Sequence, residues 1–306
     1  MSGNMDFEKI RQEYLASLKS SDTEEHIDLC FYRPLGFAWA CLFRKLGVTP
    51  NVVTILSIFL GVGAGLCFYP TDIWINIAGI LLLIWANTYD SADGQLARMT
   101  RQYSPLGRVL DGVAGDLWFI SIYLCICLRT RETVGFFADH GWMLWTLASL
   151  AGASHICQAA VADYFRQIHL FLLHGGENKE LESALILRER YERCEGSPVR
   201  RLLAWLYWRY TAVQERLSGD MRFVIADLKA HPRANKTIYE RLRRLSLPLC
   251  KWENFLTFNW RAITLSLCVL AGIPWVYFAI EVTVFNGVLV YLIARERRIA
   301  KLIKLQ

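Results

Sequence analysis

The sequence predicts an all-α integral membrane protein. Six transmembrane helices are expected, together with an N-terminal interfacial amphipathic helix and a helical cytoplasmic insert. Three observations lead there. The apolar residues gather into six runs of about the 20 residues a helix needs to cross a bilayer. Short polar turns separate the runs in pairs. Lys and Arg concentrate in alternate connections.

Val52–Pro70 contains no charged residue, and Ile73–Tyr89 follows it after the turn at Thr71 and Asp72. Val109–Leu128 is broken only by Asp111 and Asp116. In Gly141–Ala162 His155 is the one residue that could carry a positive charge, and Asn254–Ile273 carries Arg261. Val276–Ala294 follows the turn at Pro274 and Trp275 and carries Glu281. Basic residues cluster ahead of the first run, between the second and third, between the fourth and fifth, and after the sixth. By the rule that cytoplasmic loops carry the positive charge, both termini face the cytoplasm. The first thirty residues are charged and soluble in character, so no cleavable signal peptide is expected ahead of the first span.

Five segments follow. Residues 1–47 form cytoplasmic and interfacial N-terminal helices; Phe31, Trp39, Leu42, Phe43, Arg44 and Lys45 mix aromatic, aliphatic and basic groups as an interfacial helix does. Residues 48–173 hold spans one to four. Residues 174–253 are an insert of amphipathic helices, with Leu202, Trp205, Trp208 and Tyr210 among Arg residues. Residues 254–296 hold spans five and six, and 297–306 are a basic tail.

The net charge, 34 − 28 = +6, would suit nucleic acid or an anionic membrane face equally. Six spans decide for the membrane and exclude a soluble nucleic-acid binder. The nine cysteines have no regular spacing and no CxxC, so neither a disulfide framework nor a zinc site is expected.

The chemistry lies in the carboxylates. Ionisable groups inside a membrane are costly and point to function. Span two runs inward and ends at Asp90 and Asp93; span three runs back from Asp111 and Asp116. The topology therefore sets four carboxylates at one depth on the cytoplasmic side. Asp90 and Asp93 share a helical face with the small residues Gly94 and Ala97. Hard oxygen ligands without Cys or His suit Mg²⁺, Mn²⁺ or Ca²⁺. Arg98, Arg101 and Arg108 crowd the connection, as expected where phosphates bind. A metal site beside a phosphate site at a membrane face suggests phosphoryl-group transfer to or from a lipid.

Asp90, Asp93, Gly94, Ala97, Arg98, Gly107 and Asp111 carry the spacing D-x2-D-G-x2-A-R-x8-G-x3-D. This resembles the signature of the CDP-alcohol phosphotransferase (CDP-alcohol phosphatidyltransferase) family, and Thr49–Thr54 resembles that family's entry to its first span. The resemblance implies transfer of a phosphate-linked group from a CDP-activated donor to an alcohol, with release of CMP. It implies Mg²⁺ or Mn²⁺, two ions, held by Asp90, Asp93, Asp111 and Asp116. Asp116, with Asp111, would be the catalytic carboxylate and general base. Gly94, Ala97, Arg98, Gly107 and Arg108 would bind the CDP donor. A homodimer in a cell membrane is also implied (the inner one in a bacterium), with the site facing the cytoplasm. The 176–253 insert is not part of the common pattern.

One departure stands out. The family places its fourth Asp four residues after the third, but position 115 is Gly and the carboxylate is Asp116. Four residues turn an α-helix by about 40°, five by about 140°. A π-bulge, eased by Gly112 and Gly115, is expected to re-aim Asp116. Asp163 is the alternative source of a fourth acid.

For the acceptor, Arg261 lies about 12 Å into span five from Glu253, where it needs an anionic partner. An acceptor phosphate, held also by Arg166 and Arg101, is one; a carboxylate is another. The first reading takes CDP-diacylglycerol as donor, and within it the surplus of Arg favours inositol phosphate as acceptor, the phosphatidylinositol-phosphate synthase-like branch. The alternatives are a CDP-choline or CDP-ethanolamine type enzyme with diacylglycerol as acceptor, which Ser104–Gly107 resembles, and a catalytically inactive scaffold.

Overall fold

Local chemistry sets several of the helix starts and stops among the described residues. The computed structural model describes residues 2–18, 24–103, 105–175, 181–194, 197–230 and 236–304, in which every regular element is helical. The chain divides into two units, residues 1–149 with 262–278, and 150–261 with 279–306.

In the first unit α1 (Ser2–Ser17) precedes a π-turn (Asp28–Tyr32) that runs into α2 (Arg33–Lys45). α3 (Pro50–Cys67) opens with Thr49 extended and Pro50 at its first position, where a missing N–H is harmless. α4 (Ile73–Thr100) is capped by Asp72, whose Oδ1 accepts from the Trp74 and Ile75 amides at 2.9 and 3.0 Å. It ends at Arg101, which takes the left-handed conformation at φ 54°. α5 (Pro105–Thr133) and the short α6 (Gly135–Asp139) follow, then α7 (Gly141–Leu173), whose first turns belong here.

Small residues let α3 lie close against its neighbours, as in membrane helix packing generally. A Cβ on Gly61 would meet Trp118 Cδ1 at 2.1 Å, and one on Gly65 would meet Ser121 Oγ at 2.4 Å. At the far end of the same bundle, Asn76 Nδ2 donates to the carbonyls of Cys67 and Pro70. Its Oδ1 accepts from Arg129 Nη1 at 2.8 Å. That latch fixes the depth of α4 against α3 and α5, and so the level of the carboxylates at their other ends.

In the second unit the rest of α7 is followed by α8 (Ala184–Glu192), α9 (Pro198–Ser218), α10 (Met221–Ala230) and α11 (Lys236–Ser246). A 3₁₀ turn (Leu247–Leu249) leads into α12 (Cys250–Phe255), then α13 (Phe258–Leu270), which extends into the first unit. α14 (Val276–Ile280), a π-turn (Glu281–Phe285) and α15 (Asn286–Lys304) complete the chain. The regular elements among the described residues of 181–253 are helical, and Tyr191 stacks on Trp208 at 5.6 Å between α8 and α9.

Four stretches among the described residues are long and apolar enough to cross a membrane: Pro50–Cys67, Ile73–Thr100, Leu110–Thr133 and Val276–Ile303. These correspond to the expected first, second, third and sixth spans. The fourth expected run lies in α7, where Ser154, His155 and Gln158 dilute its apolar character. The fifth is broken at Leu256 and Thr257, and the 13 residues of α13 reach only about 20 Å at 1.5 Å per residue.

Candidate active site

Ligand oxygens of Asp90, Asp93 and Asp111 lie within 4.8 Å of one another where α4 ends and α5 begins. Asp90 and Asp93, three residues apart, leave the same face of α4; Asp111 meets them from α5. The three differ in exposure. Asp93 is buried, Asp90 half-buried and Asp111 exposed, so the group has a dry floor and an open rim. The Thr54 hydroxyl on α3 donates to Asp93 and fixes its rotamer. Three carboxylates this close repel one another, and a cation between them offsets that repulsion. The donor set, all hard oxygen with one member accessible, fits a divalent ion such as Mg²⁺ or Mn²⁺.

Asp116 is not in the group. α5 continues as α-helix through Gly112–Asp116, without the π-bulge expected from the sequence. The five-residue step from Asp111 therefore turns Asp116 about 140° away. Gly115 occupies the fourth-acid position instead, and a Cβ there would meet nothing within 4 Å. Asp163, the alternative, belongs to the second unit and accepts from Gln214 Nε2 at 3.0 Å.

Gly94 and Ala97 are half-buried on the carboxylate face of α4. The Arg98 guanidinium lies over Gly94, with Nη1 and Nη2 at 3.5 and 3.6 Å from where a Cβ would stand. Its Nε donates to the Ser17 carbonyl, while its buried Nη2 has no hydrogen-bond partner among the described residues. Gly107 is half-buried at the start of α5; the side chain of Arg108, like Ser104, lies outside the described residues. Arg101 is exposed and lines a cleft of about 370 Å³ with Thr49, Pro50, Asn51, Gln102 and Tyr103.

The remaining expected residues lie in the second unit. Arg261 is 1% exposed and its charge is matched by Glu281, which is wholly buried. The guanidinium also donates to His155 Nδ1 at 2.8 Å, Gln158 Oε1 at 2.8 Å and the Leu256 carbonyl at 3.0 Å. This carboxylate pairing accounts for the buried arginine without a ligand. Arg166 donates to Asn254 Oδ1 at 2.9 Å beside Glu253. Burial, with Glu296 next to it, pushes the Glu253 carboxyl up to about 8 against the opposing pull of Arg166.

Sequence reasoning gave no role to Thr54, Ser17 or Gln95. Thr54 sits in the Thr49–Thr54 stretch, but nothing local says that it reaches a carboxylate 39 residues on.

Residues 47–168 match the CDP-alcohol phosphatidyltransferase family. A phosphatidylinositol phosphate synthase of Corynebacterium glutamicum is 32% identical over 126 residues, 40% of this chain and 50% of that protein. A choline/ethanolaminephosphotransferase of Arabidopsis thaliana is 34% identical over 74 residues, 22% of this chain and 19% of its own length. An uncharacterised CDP-alcohol phosphatidyltransferase class-I family protein of Dictyostelium discoideum is 32% identical over 83 residues, covering 24% and 20%. The chain spans at most half the length of these relatives. The matched segment contains all three clustered carboxylates and Arg98, which lies between Asp93 and Asp111. The similarity to the CDP-alcohol phosphatidyltransferase family covers residues 47–168 of this chain.

Proposed function

We propose that the protein moves the phosphatidyl group of CDP-diacylglycerol to a small polar alcohol, with inositol phosphate the favoured acceptor, releasing CMP. The observation that carries this reading is the cluster of Asp90, Asp93 and Asp111 inside the segment that matches the family. The 126-residue likeness to a phosphatidylinositol phosphate synthase supports the choice of acceptor.

In the proposed reaction the acceptor hydroxyl attacks the phosphatidyl phosphorus. A new P–O bond forms, the pyrophosphate P–O bond breaks, and CMP leaves with the electron pair. Asp90, Asp93 and Asp111 would hold the divalent cation, which when bound supplies positive charge against the pyrophosphate and the departing CMP. Asp111, the exposed member, would take the acceptor's proton. Thr54 keeps Asp93 oriented. The free Nη2 edge of Arg98 suits a donor phosphate oxygen, and Gly94 leaves the surface beside it flat. Arg101, in its cleft, would hold an acceptor phosphate, because Arg261 already faces Glu281. The proposal includes six spans, with the fourth in α7 and the fifth over residues 254–273. It also includes an interfacial α2, cytoplasmic termini, a cytoplasm-facing site and a homodimer.

A second reading, CDP-choline or CDP-ethanolamine as donor with diacylglycerol as acceptor, is favoured by the Arabidopsis thaliana relative. The test is CMP release by the protein in nanodiscs with Mg²⁺ and CDP-diacylglycerol, against inositol phosphate, inositol, glycerol phosphate and serine. Release dependent on inositol phosphate supports the first reading and its acceptor. Silence across the panel, with release from CDP-choline plus diacylglycerol, replaces it by the second.

A further inference from the structure

We propose that Ser17, the last residue of α1, is a positioning residue for Arg98. A segment outside the matched family domain would thereby set how the motif arginine meets the CDP donor. The inference rests on the reading of Arg98 as a donor-phosphate contact.

The last carbonyls of an α-helix have no partner within it and form the negative end of its dipole. At the end of α1 that demand is met from α4. The Ser17 carbonyl accepts from Arg98 Nε, and Ser17 Oγ accepts from Gln95 Nε2 at 3.2 Å while donating to the Tyr14 carbonyl at 2.6 Å. The same Gln95 amide donates to the Arg33 carbonyl at 3.2 Å. Arg33 in turn reaches Ser91 Oγ at 3.2 Å and Glu24 at 2.7 Å. Ser91, Gln95 and Arg98 recur at helical spacing and form one face of α4, beside the face that carries Asp90, Asp93, Gly94 and Ala97. One face is thus latched to Ser17 and Arg33, the other faces the carboxylates, and Arg98 joins the two.

The latch divides the arginine's donors. Nε is held by Ser17, whereas Nη2 is buried and has no partner among the described residues. A guanidinium fixed at Nε presents its outer edge in one orientation, which is what bidentate phosphate recognition needs. Ser17 is itself 1% exposed, and Gly36 permits the close fit on the other side, since a Cβ there would lie 2.6 Å from Gln95 Oε1. Residues 1–46 lie outside the family match, so this control would act on the motif from beyond the matched segment.

The test uses the full-length protein in nanodiscs and CMP release as a function of CDP-diacylglycerol concentration. Ser17→Leu cannot fit the buried position and lifts the end of α1; Ser17→Thr retains the hydroxyl. Loss of one charge-assisted hydrogen bond's worth of orientation should raise KM for the CDP donor by about tenfold in Ser17→Leu, with kcat changed by less than about threefold. Ser17→Thr should stay near wild type. In an Arg98→Ala background, Ser17→Leu should add less than about twofold, because it acts through Arg98. An unchanged KM in Ser17→Leu, or the same factor in both backgrounds, overturns the inference. If Ser17→Leu gives no cooperative melt, Tyr14→Ala replaces it, loosening α1 by removing the edge contact with Phe37 at 5.4 Å. If the wild type releases no CMP from any donor, the reaction reading fails by itself. Binding of CDP to the same variants is then the readout: weaker binding in Ser17→Leu supports the latch, and equal binding overturns it.

Discussion

Glu281→Ala should destabilise the second unit severely, and the structure sets the size of the effect. Glu281 is wholly buried, Arg261 is 1% exposed, and the two form an ion pair framed by the π-turn at Glu281–Phe285. Removing the carboxylate leaves a guanidinium that keeps hydrogen bonds to His155, Gln158 and Leu256 but has lost its counter-charge. Breaking a buried pair on one side costs about 3–5 kcal/mol. That is a large part of the roughly 5–15 kcal/mol by which folded domains are stable. Replacing both partners by apolar residues, Arg261→Met with Glu281→Leu, should recover most of the loss. The assay is the thermal midpoint in nanodiscs, followed by tryptophan fluorescence, together with the acceptor KM in CMP release. The double variant should melt near wild type and keep its acceptor KM within about threefold. An unshifted midpoint in Glu281→Ala would refute the ion-pair account. A well-folded double variant with acceptor KM raised tenfold or more would show that Arg261 binds the acceptor.

Three other outcomes follow from the same geometry. Asp116 lies outside the carboxylate group, so Asp116→Asn should retain most CMP release while Asp111→Asn loses it; the reverse result would restore Asp116 as the base. Gly61→Ala places a Cβ 2.1 Å from Trp118 Cδ1, and overpacking of this kind costs about 1–3 kcal/mol. It should lower the thermal midpoint and shift the tryptophan emission, and an unchanged protein would contradict the α3–α5 contact. Glu253 binds its proton more tightly when folded than the ordinary value of 4.5 allows, up to about 8. Its contribution to stability is therefore complete below about 4.5 and is lost as pH rises through about 8. Glu253→Gln should flatten the fall in melting temperature between pH 5 and 9; a fall as steep as wild type would remove Glu253 as its cause.

Much of the helical framework was legible because membrane spans are read from composition over long windows. Pro50–Cys67 and Ile73–Thr100 start within two residues of the apolar runs that announce them, and Asp72 marks the turn between them by its capping chemistry. The meeting of Asp90, Asp93 and Asp111 follows from the same topology, since antiparallel neighbours joined by a short connection bring their near ends together. What escaped depends on particular atoms rather than on periodicity. The π-bulge expected at Gly112–Asp116 did not form, because permissive glycines allow a distortion without requiring one. The break at Leu256 and Thr257 has no Pro or Gly to signal it. Glu281 is a residue of the sixth apolar run, and only the folded chain shows that it answers Arg261. Ser17 reaches Arg98 across 81 positions, a distance over which sequence pattern says nothing about a hydrogen bond.

The most direct measurement is metal-dependent CMP release from CDP-diacylglycerol by the wild-type protein and by Asp93→Asn, which preserves side-chain volume. Both are checked for folding by their melts. The account predicts release by the wild type that stops when EDTA removes Mg²⁺ and is absent in the folded variant at any metal concentration. Release by Asp93→Asn at the wild-type rate would contradict the assignment of Asp90, Asp93 and Asp111 as the reactive centre.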